Sequence, residues 1–501
     1  MTARMTIRDL FDDAVAARGE AVFLRCHDGS GWRTVSYAES RLRVLAFLAA
    51  LVKAGVPLGV EGGYRARVAI MRENSPEWIF AYLAVAGAGF IAVPVDPHLT
   101  RGEAEYILGD SGAAYVVTPA IDELVQSVSA EELAAAEAFW NASRPAANDI
   151  ASIVYTSGTT GCPKGAMLTH GNFTANVDQT FPRVMFYESD HYLLALPLFH
   201  VFAFTLSFLI PLRNGSQISF ARSMRAVPVD MAELKPTVFM SVPLLAEILY
   251  ARARKVVCSL RVLGVGGAPI SRETLEGLQS AGVYVLEGYG ITECAPGVCY
   301  PDERRYVPGT VGLPLDGMEW RITDSDETGA GELRVRGPNV MKGYWNNPSE
   351  TAKAFDADGF YRTGDIVRPV LNGNFTICGR TKALIVNREG KNIYPEEIER
   401  ALAACPYVKD VLVVGYRVGG EVGEHVGAIV VPDVEAVRAA EPGADTNKAV
   451  AAVVRRELRV LCRGTLAEYK LPRKVDVRFV PLERTPSMKV KRFLYSRALD
   501  E

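Results

Sequence analysis

No two of the eight cysteines (Cys26, Cys162, Cys258, Cys294, Cys299, Cys378, Cys405 and Cys462) stand at CxxC spacing. The scatter speaks against thiolate metal knuckles and a disulfide framework, and is that of reduced thiols in a cytoplasmic protein. A basic excess is missing too. Lys and Arg number 55 against 58 Asp and Glu, a formal charge of -3, so nucleic acid is not an expected partner. The N-terminal "MTARMTIRDLFDDAVAARGE" reads as a charged amphipathic helix without the apolar region of a secretory signal. Uninterrupted apolar runs are also lacking. "WIFAYLAVAGAGFIAVPV" (Trp78 to Val95) is long enough to cross a bilayer, but Ser75 and Pro76 before it form a helix start, and Gly87 and Gly89 break it. It predicts a core helix followed by a buried strand. "YLLALPLFHVFAFTLSFLIPL" is interrupted by Pro197, His200 and Pro211 and predicts strand, loop and buried helix.

What the chain does have is strands and helices in alternation. "RVAIM", "AYVVT", "ASIVYT", "QISFA", "TVFMSVP", "RVLGVGG" and "VYVLEGYG" are apolar and β-rich, with helical patterns such as "PLLAEILYARAR" and "SRETLEGLQSAG" between several of them. Continuous apolar strands between helices indicate sheets covered on both faces, an α/β architecture. After about residue 325 the texture changes to antiparallel β, then to short helices and strands. The pattern predicts a compact α+β C-terminal domain, with a boundary near Cys378 to Lys382.

Four motifs carry candidate chemistry. "YTSGTTGCPKG" (Tyr155 to Gly165) fails the GxxxxGK[ST] pattern of a P-loop, because Gly158 and Gly161 are separated by two residues and Lys164 follows Pro163. It still offers the hydroxyls of Ser157, Thr159 and Thr160, glycines that let backbone N–H groups close on an anion, and the Lys164 charge. "EGYGITEC" follows a strand's C-terminal end, where open α/β sheets bind ligands. There Tyr289 can stack on a base, Thr292 can donate to a phosphate, and Glu293 offers a hard carboxylate oxygen for Mg²⁺. "YRTGDI" puts Asp365 in a turn after Gly364, as a ribose acceptor or a simple Asx turn, and Arg380 in "GRTK" brings a donor fork suited to ribose or phosphate. "RTPSMKVKRF" contains Lys489 in a basic run, which by composition alone is a solvated face.

Taken in order, "YTSGTTGCPKG", "PLFH", "GGAP", "YGITE", "GELRVRGP", "YRTGDI", "GRTKALIVNREGKNIYPEEIE" and the late lysine resemble the adenylate-forming superfamily, which holds acyl-CoA synthetases, amino-acid adenylation domains and luciferases. The resemblance spans essentially the whole chain and is closest to fatty acyl-CoA synthetases. It implies a large N-terminal adenylation domain (1–380) of two sheet-helix subdomains with a small β-barrel-like one, capped by a small mobile α+β domain (381–501) that carries Lys489. It implies a reaction in which ATP and Mg²⁺ convert a carboxylic acid to acyl-AMP and pyrophosphate, after which a thiol, that of CoA, takes the acyl group. By the same resemblance, Thr156, Ser157, Gly158, Thr159, Thr160, Gly161 and Lys164 match the phosphate loop. Gly267, Ala268 and Pro269 match the adenine strip, with Tyr289 and Gly290 beside it. Thr292 would meet the α-phosphate and Glu293 the metal. Asp365 and Arg380 match the ribose contacts, and Lys489 the lysine bridging α-phosphate and carboxylate. Lys382 matches the hinge of the mobile domain, and Gly390 with Lys391 the pantetheine tunnel. His200, Val201, Phe202, Phe204, Val242, Gly266 and Gly288 match the acyl pocket, with His200 orienting the acyl group.

Three positions depart from the pattern: Met488 stands where a glycine is usual, Ala383 where an acid is common, and Glu389 where a second glycine precedes "KNI". They bear on the thioester step more than on adenylation. The helix after His200 carries Phe202, Phe204, Leu206, Phe208 and Leu209 and no acid. A buried substrate ammonium would lack a partner there, which disfavours amino acids and favours a fatty acid, with aryl acids left open. The alternatives are a stand-alone fatty acyl-AMP ligase that loads a separate acyl carrier protein, an aryl acid-CoA ligase, and an idle nucleotide-binding regulator. A homodimer is left open.

Overall fold

The computed structural model describes residues 5–156, 163–302, 305, 307–387, 391–418, 423–484, 490–495 and 498–500. The chain divides into two compact units: one of residues 1–320, 335–362 and 370–375, the other of 321–334, 363–369 and 376–501.

The first unit holds two large sheets. In the five-stranded sheet, Tyr115–Val117, Arg67–Ile70, Ile91–Pro94 and Ile150–Thr156 run parallel, and Lys164–Thr169 closes the edge antiparallel to Ile150–Thr156. The seven-stranded sheet runs Tyr284–Glu287, Val262–Val265, Val238–Ser241, His191–Leu194, Gln217–Phe220, Val22–His27, Trp32–Ser36, parallel except for its last pair. The apolar runs predict these strands except Lys164–Thr169, Val22–His27 and Trp32–Ser36. The predicted strands are largely buried, as parallel strands covered by helices require, whereas the edge strand Trp32–Ser36 has no buried residue. A small antiparallel sheet of short strands, Tyr289–Gly290, Gly297–Tyr300 and Leu313–Pro314, also lies in this unit.

The run from Trp78 resolves as its start signal predicts. Pro76–Gly87 is a helix with Ser75 as N-cap, its hydroxyl accepting from Trp78 N. Every residue but Glu77 is buried, and Trp78 stacks on Tyr82 one turn on. Each large apolar side chain withdrawn from water contributes roughly 1.5–3 kcal/mol, which is why so apolar a helix sits in the protein core. A methyl group at Gly87 would lie 2.2 Å from the Trp140 ring, so the glycine marks a close helix–helix approach. Then Gly89, at φ +81°, turns the chain into the strand Ile91–Pro94. Among the described residues, no helix is long and apolar enough to cross a membrane.

In the second unit, Val408–Tyr416 pairs antiparallel with His425–Pro432, which pairs parallel with Lys474–Val477. Alternate residues face opposite ways, as the two-residue period of a strand demands. Val413, Ala428 and Val430 join Ile398, Leu402, Val450, Val454 and Leu458 of the covering helices. Leu412, Val414, Tyr416, Ile429 and Val431 pack on Leu482, Tyr495 and Leu499 on the other face. One expectation changes here. Asp365 is not in a turn but inside the strand Tyr361–Pro369, where pairing overrides the turn signal of Gly364, and its side chain is buried.

Candidate functional site

The expected phosphate loop springs from the edge hairpin of the five-stranded sheet. Tyr155 faces Gly165 and Thr156 faces Lys164 across the pair. Ser157, Gly158, Thr159, Thr160 and Gly161 lie outside the described residues. Both stems are braced by the helix Arg101–Ser111. The Tyr155 hydroxyl donates to Asp110 at 2.5 Å, and the Tyr106 hydroxyl donates to the Pro163 carbonyl at 3.2 Å. Burial, and then the hydrogen bond to Asp110, push the Tyr155 hydroxyl well above its ordinary pKa, so it stays a donor. From the other side Trp345 N donates to Gly165 O at 2.7 Å, while Trp345 Nε1 and Asn346 Nδ2 donate to the Asp110 carbonyl at 3.2 and 2.9 Å. A methyl group at Gly165 would lie 2.6 Å from Ile153, so this stem needs its glycine for packing.

Lys164 Nζ is ion-paired with Glu350 and lies 5.3 Å from the centroid of the Tyr344 ring. The Tyr344 hydroxyl donates to Glu293 Oε1 at 2.8 Å and lies 3.4 Å from the Tyr361 hydroxyl. Burial, and next the Glu293 charge, raise the pKa values of both tyrosines, so neither competes with Glu293 as an anion. Among the described residues Oε2 of Glu293 accepts no hydrogen bond, and its oxygen suits a hard cation, which takes one or two carboxylates and completes its shell with phosphate and water. Met341 N donates to the Glu293 carbonyl at 2.8 Å, and Asn339 Nδ2 to those of Cys294 and Gly297 at 3.0 and 2.7 Å. The segment 339–345 thus supports both Glu293 and the Lys164 stem.

The remaining first-unit residues cluster at strand ends, as α/β topology directs. Gly266, Gly267, Ala268 and Pro269 follow the strand Val262–Val265, with Gly267 at φ +89°. Gly288, Tyr289 and Gly290 follow Tyr284–Glu287, and Thr292 and Glu293 occupy a 3₁₀ turn. His200 caps the helical segment that begins at Val201 and includes a π-helical stretch, Thr205–Leu209. A methyl group at Gly266 would be 3.0 Å from the Phe202 ring, which places Phe202 against this turn. Phe204 is buried instead among Trp78, Tyr82, Phe173 and Phe208. Val242 follows the strand Val238–Ser241 and stands at the N-cap of the helix Pro243–Arg252. Asn74 holds the approach to His200 at two points: Nδ2 donates to Leu196 O and Oδ1 accepts from Leu198 N, both at 2.8 Å.

In the second unit Arg380 Nε lies 3.1 Å from Asp365 Oδ1. Lys382 is in a 3₁₀ turn directly after the strand that ends at Arg380. Lys391 Nζ lies 4.8 Å from the Tyr469 ring centroid. Gly390 and Lys489 are outside the described residues. Tyr106, Asp110, Asn74, Tyr344 and Glu350 were not legible as site residues. The only sequence signal was that Tyr344 and Glu350 stand in "GYWNNPSET", a polar, turn-rich stretch.

The profile of the AMP-binding enzyme family matches residues 11–345, and that of the AMP-binding enzyme C-terminal domain residues 397–489. A feruloyl-CoA synthase of Amycolatopsis sp is 33% identical over 469 residues, covering 89% of this chain and 90% of its own. A long-chain-fatty-acid–CoA ligase of Salmonella typhimurium is 31% identical over 509 residues, covering 89% and 86%. Among solved structures, the o-succinylbenzoate coenzyme A synthetase of Bacillus subtilis in complex with ATP and magnesium superposes with a TM-score of 0.78 at 26% identity, covering 96% of this chain and 98% of the other.

Proposed function

Because the chain belongs to the AMP-binding enzyme family and is an acid–thiol ligase of the AMP-forming type, we propose that its acid substrate is a fatty acid and its acceptor free CoA. The observation that carries the choice of acid is the wall after His200. From Val201 to Leu212 the segment is almost wholly buried and apolar, with no carboxylate to pair with a substrate ammonium. A second reading, an aryl acid such as a hydroxycinnamate, is favoured by the 33% identity to a feruloyl-CoA synthase.

In this reading a carboxylate oxygen of the acid attacks the α-phosphorus of ATP. The bond from that phosphorus to the bridging oxygen breaks, and pyrophosphate leaves. The CoA sulfur, losing its proton, then attacks the acyl carbon and AMP leaves. Two anions must meet in the first step, so its rate depends on positioning and on positive charge near the reacting oxygens. Lys164 and the loop Thr156–Gly161 would hold the β- and γ-phosphates. Thr292 would donate to the α-phosphate, and Lys489 would bridge it to the carboxylate. Glu293 would hold Mg²⁺, which when bound supplies further charge neutralisation. Asp365 and Arg380 would hold the ribose, and Lys382 would serve as the hinge between the two steps.

The test is mass spectrometry of the purified protein with ATP, Mg²⁺ and a panel of fatty, aryl and amino acids, with and without CoA. Fatty acyl-CoA is the expected product. Aryl-CoA alone would move the assignment to the second reading, and acyl-AMP that accumulates regardless of CoA would point to a carrier-protein acceptor.

A further inference from the structure

The lysine expected to meet nucleotide phosphate already has an anion. Glu350 Oε2 pairs with Lys164, and Glu350 Oε1 takes Lys353 Nζ at 2.7 Å. The carboxylate is held for this contact. Glu350 lies in the first turn of the helix Pro348–Ala354, where its N–H donates to Asn347 Oδ1 at 3.1 Å. The next residue, Thr351, accepts from Tyr344 N at 2.9 Å and donates to Asn347 O at 2.9 Å. Hydrogen bonds from Lys164 and then Lys353 hold the Glu350 carboxyl at a pKa of about 2, so it is ionised at every physiological pH. Tyr344 touches both charge-bearing groups of the site, with its ring toward the Lys164 ammonium and its hydroxyl on Glu293.

A carboxylate on an ammonium resembles a phosphate oxygen on the same ammonium in charge and contact. An incoming polyphosphate therefore meets a competitor. Losing Lys164 does not strand the Glu350 charge, because the exposed Lys353 remains its partner. The Tyr344 ring offers a contact that does not depend on which anion is bound. We propose that Glu350 is a resident counter-ion for Lys164 that a nucleotide β- or γ-phosphate displaces, with Tyr344 as the positioning residue that keeps the ammonium in place during the exchange. This rests on the nucleotide reading above. The device weakens polyphosphate binding and speeds release of pyrophosphate.

Titration calorimetry of the whole chain with magnesium pyrophosphate, and separately with a non-hydrolysable ATP analogue, tests it. Glu350→Gln should bind pyrophosphate three- to tenfold more tightly than wild type. Lys353→Met, a surface change that leaves Glu350 to Lys164 alone, should bind it more weakly by a similar factor. In a Lys164→Ala background the Glu350→Gln gain should vanish. Persistence of the gain without Lys164 would reduce it to general charge repulsion and overturn the proposal. So would Kd values that Glu350→Gln and Lys353→Met leave unchanged. Absence of binding in wild type and in every variant would sink the nucleotide reading and this inference with it.

Discussion

Arg380 Nε meets Asp365 Oδ1 at 3.1 Å, so the two residues expected to hold a ribose hold each other. The Asp365 side chain is only 4% exposed and that of Arg380 is 50% exposed. The carboxylate is thus fixed by burial and by its partner, while Thr363 Oγ1 accepts from Asp365 N at 3.1 Å. A carboxylate aimed in this way can accept from ribose hydroxyls without first being ordered.

Asp365→Asn should raise the KM for ATP about 10- to 100-fold, since hydrogen bonds to a charged group contribute roughly 1.5–3 kcal/mol. The fold should survive, because the released Arg380 can be solvated. Pyrophosphate release against ATP concentration is the measurement. A KM within twofold of wild type would remove Asp365 from the ribose site.

Lys489→Ala should slow acyl-AMP formation by at least 100-fold and leave transfer from preformed acyl-AMP to CoA within about threefold, since only the first step joins two anions. Separate assays of the half-reactions decide it. Survival of both steps would transfer the role to Lys491.

Lys382→Pro places a fixed φ in the 3₁₀ turn after Arg380. If the chain pivots there, thioester formation should fall more than adenylation. Equal loss of both would mean damage to the fold, which a melting curve would show.

Asn74→Ala removes both bonds to the segment before His200. The KM for the acid should rise several-fold with the KM for ATP unchanged. A shift in both would place Asn74 in general stability.

His170 and His191 make stability pH-dependent. Burial pushes each down to about 4, with the Arg25 charge adding at His191. His170 Nδ1 accepts from Ile7 N at 3.3 Å, as a neutral ring does. The unfolded chain takes up protons below about 6.5, and the native state resists them until about 4, so stability falls as pH drops through that window and is fully present above it. The slope approaches about 1.4 kcal/mol per pH unit for each histidine. Urea unfolding from pH 7 to 4.5 should show it, and His191→Gln should flatten it.

The sheets were legible because buried parallel strands are apolar throughout, and the Pro76 helix because Ser75 and Pro76 announce it. The strand that leads into the expected phosphate loop was legible from the apolar run "ASIVYT", and the return strand Lys164–Thr169 was not. The supports were not. Asn74 reaches across more than 120 positions to Leu196 and Leu198, and Asp110 receives Asn346 from more than 230 away. A single polar residue in an ordinary helix or loop carries no local mark of such a partner. Asp365 was misplaced for a related reason: Gly364, at φ +69°, gives a turn signal, but pairing with neighbouring strands settled the conformation.

The edge strand Lys164–Thr169 is closed on its outer side by a segment that comes much later in the chain. Met167 N donates to Gly343 O at 2.9 Å, Lys342 N to Met167 O at 3.0 Å, and Trp345 N to Gly165 O at 2.7 Å. On a ribosome adding 5–20 residues per second, the strand waits roughly 10–35 s for that cover. For that interval a nascent chain presents an open edge with unpaired backbone groups, a template for any other strand nearby. The order of synthesis therefore exposes this edge strand first and shields it last, and a chain truncated before residue 342 would keep that edge open permanently.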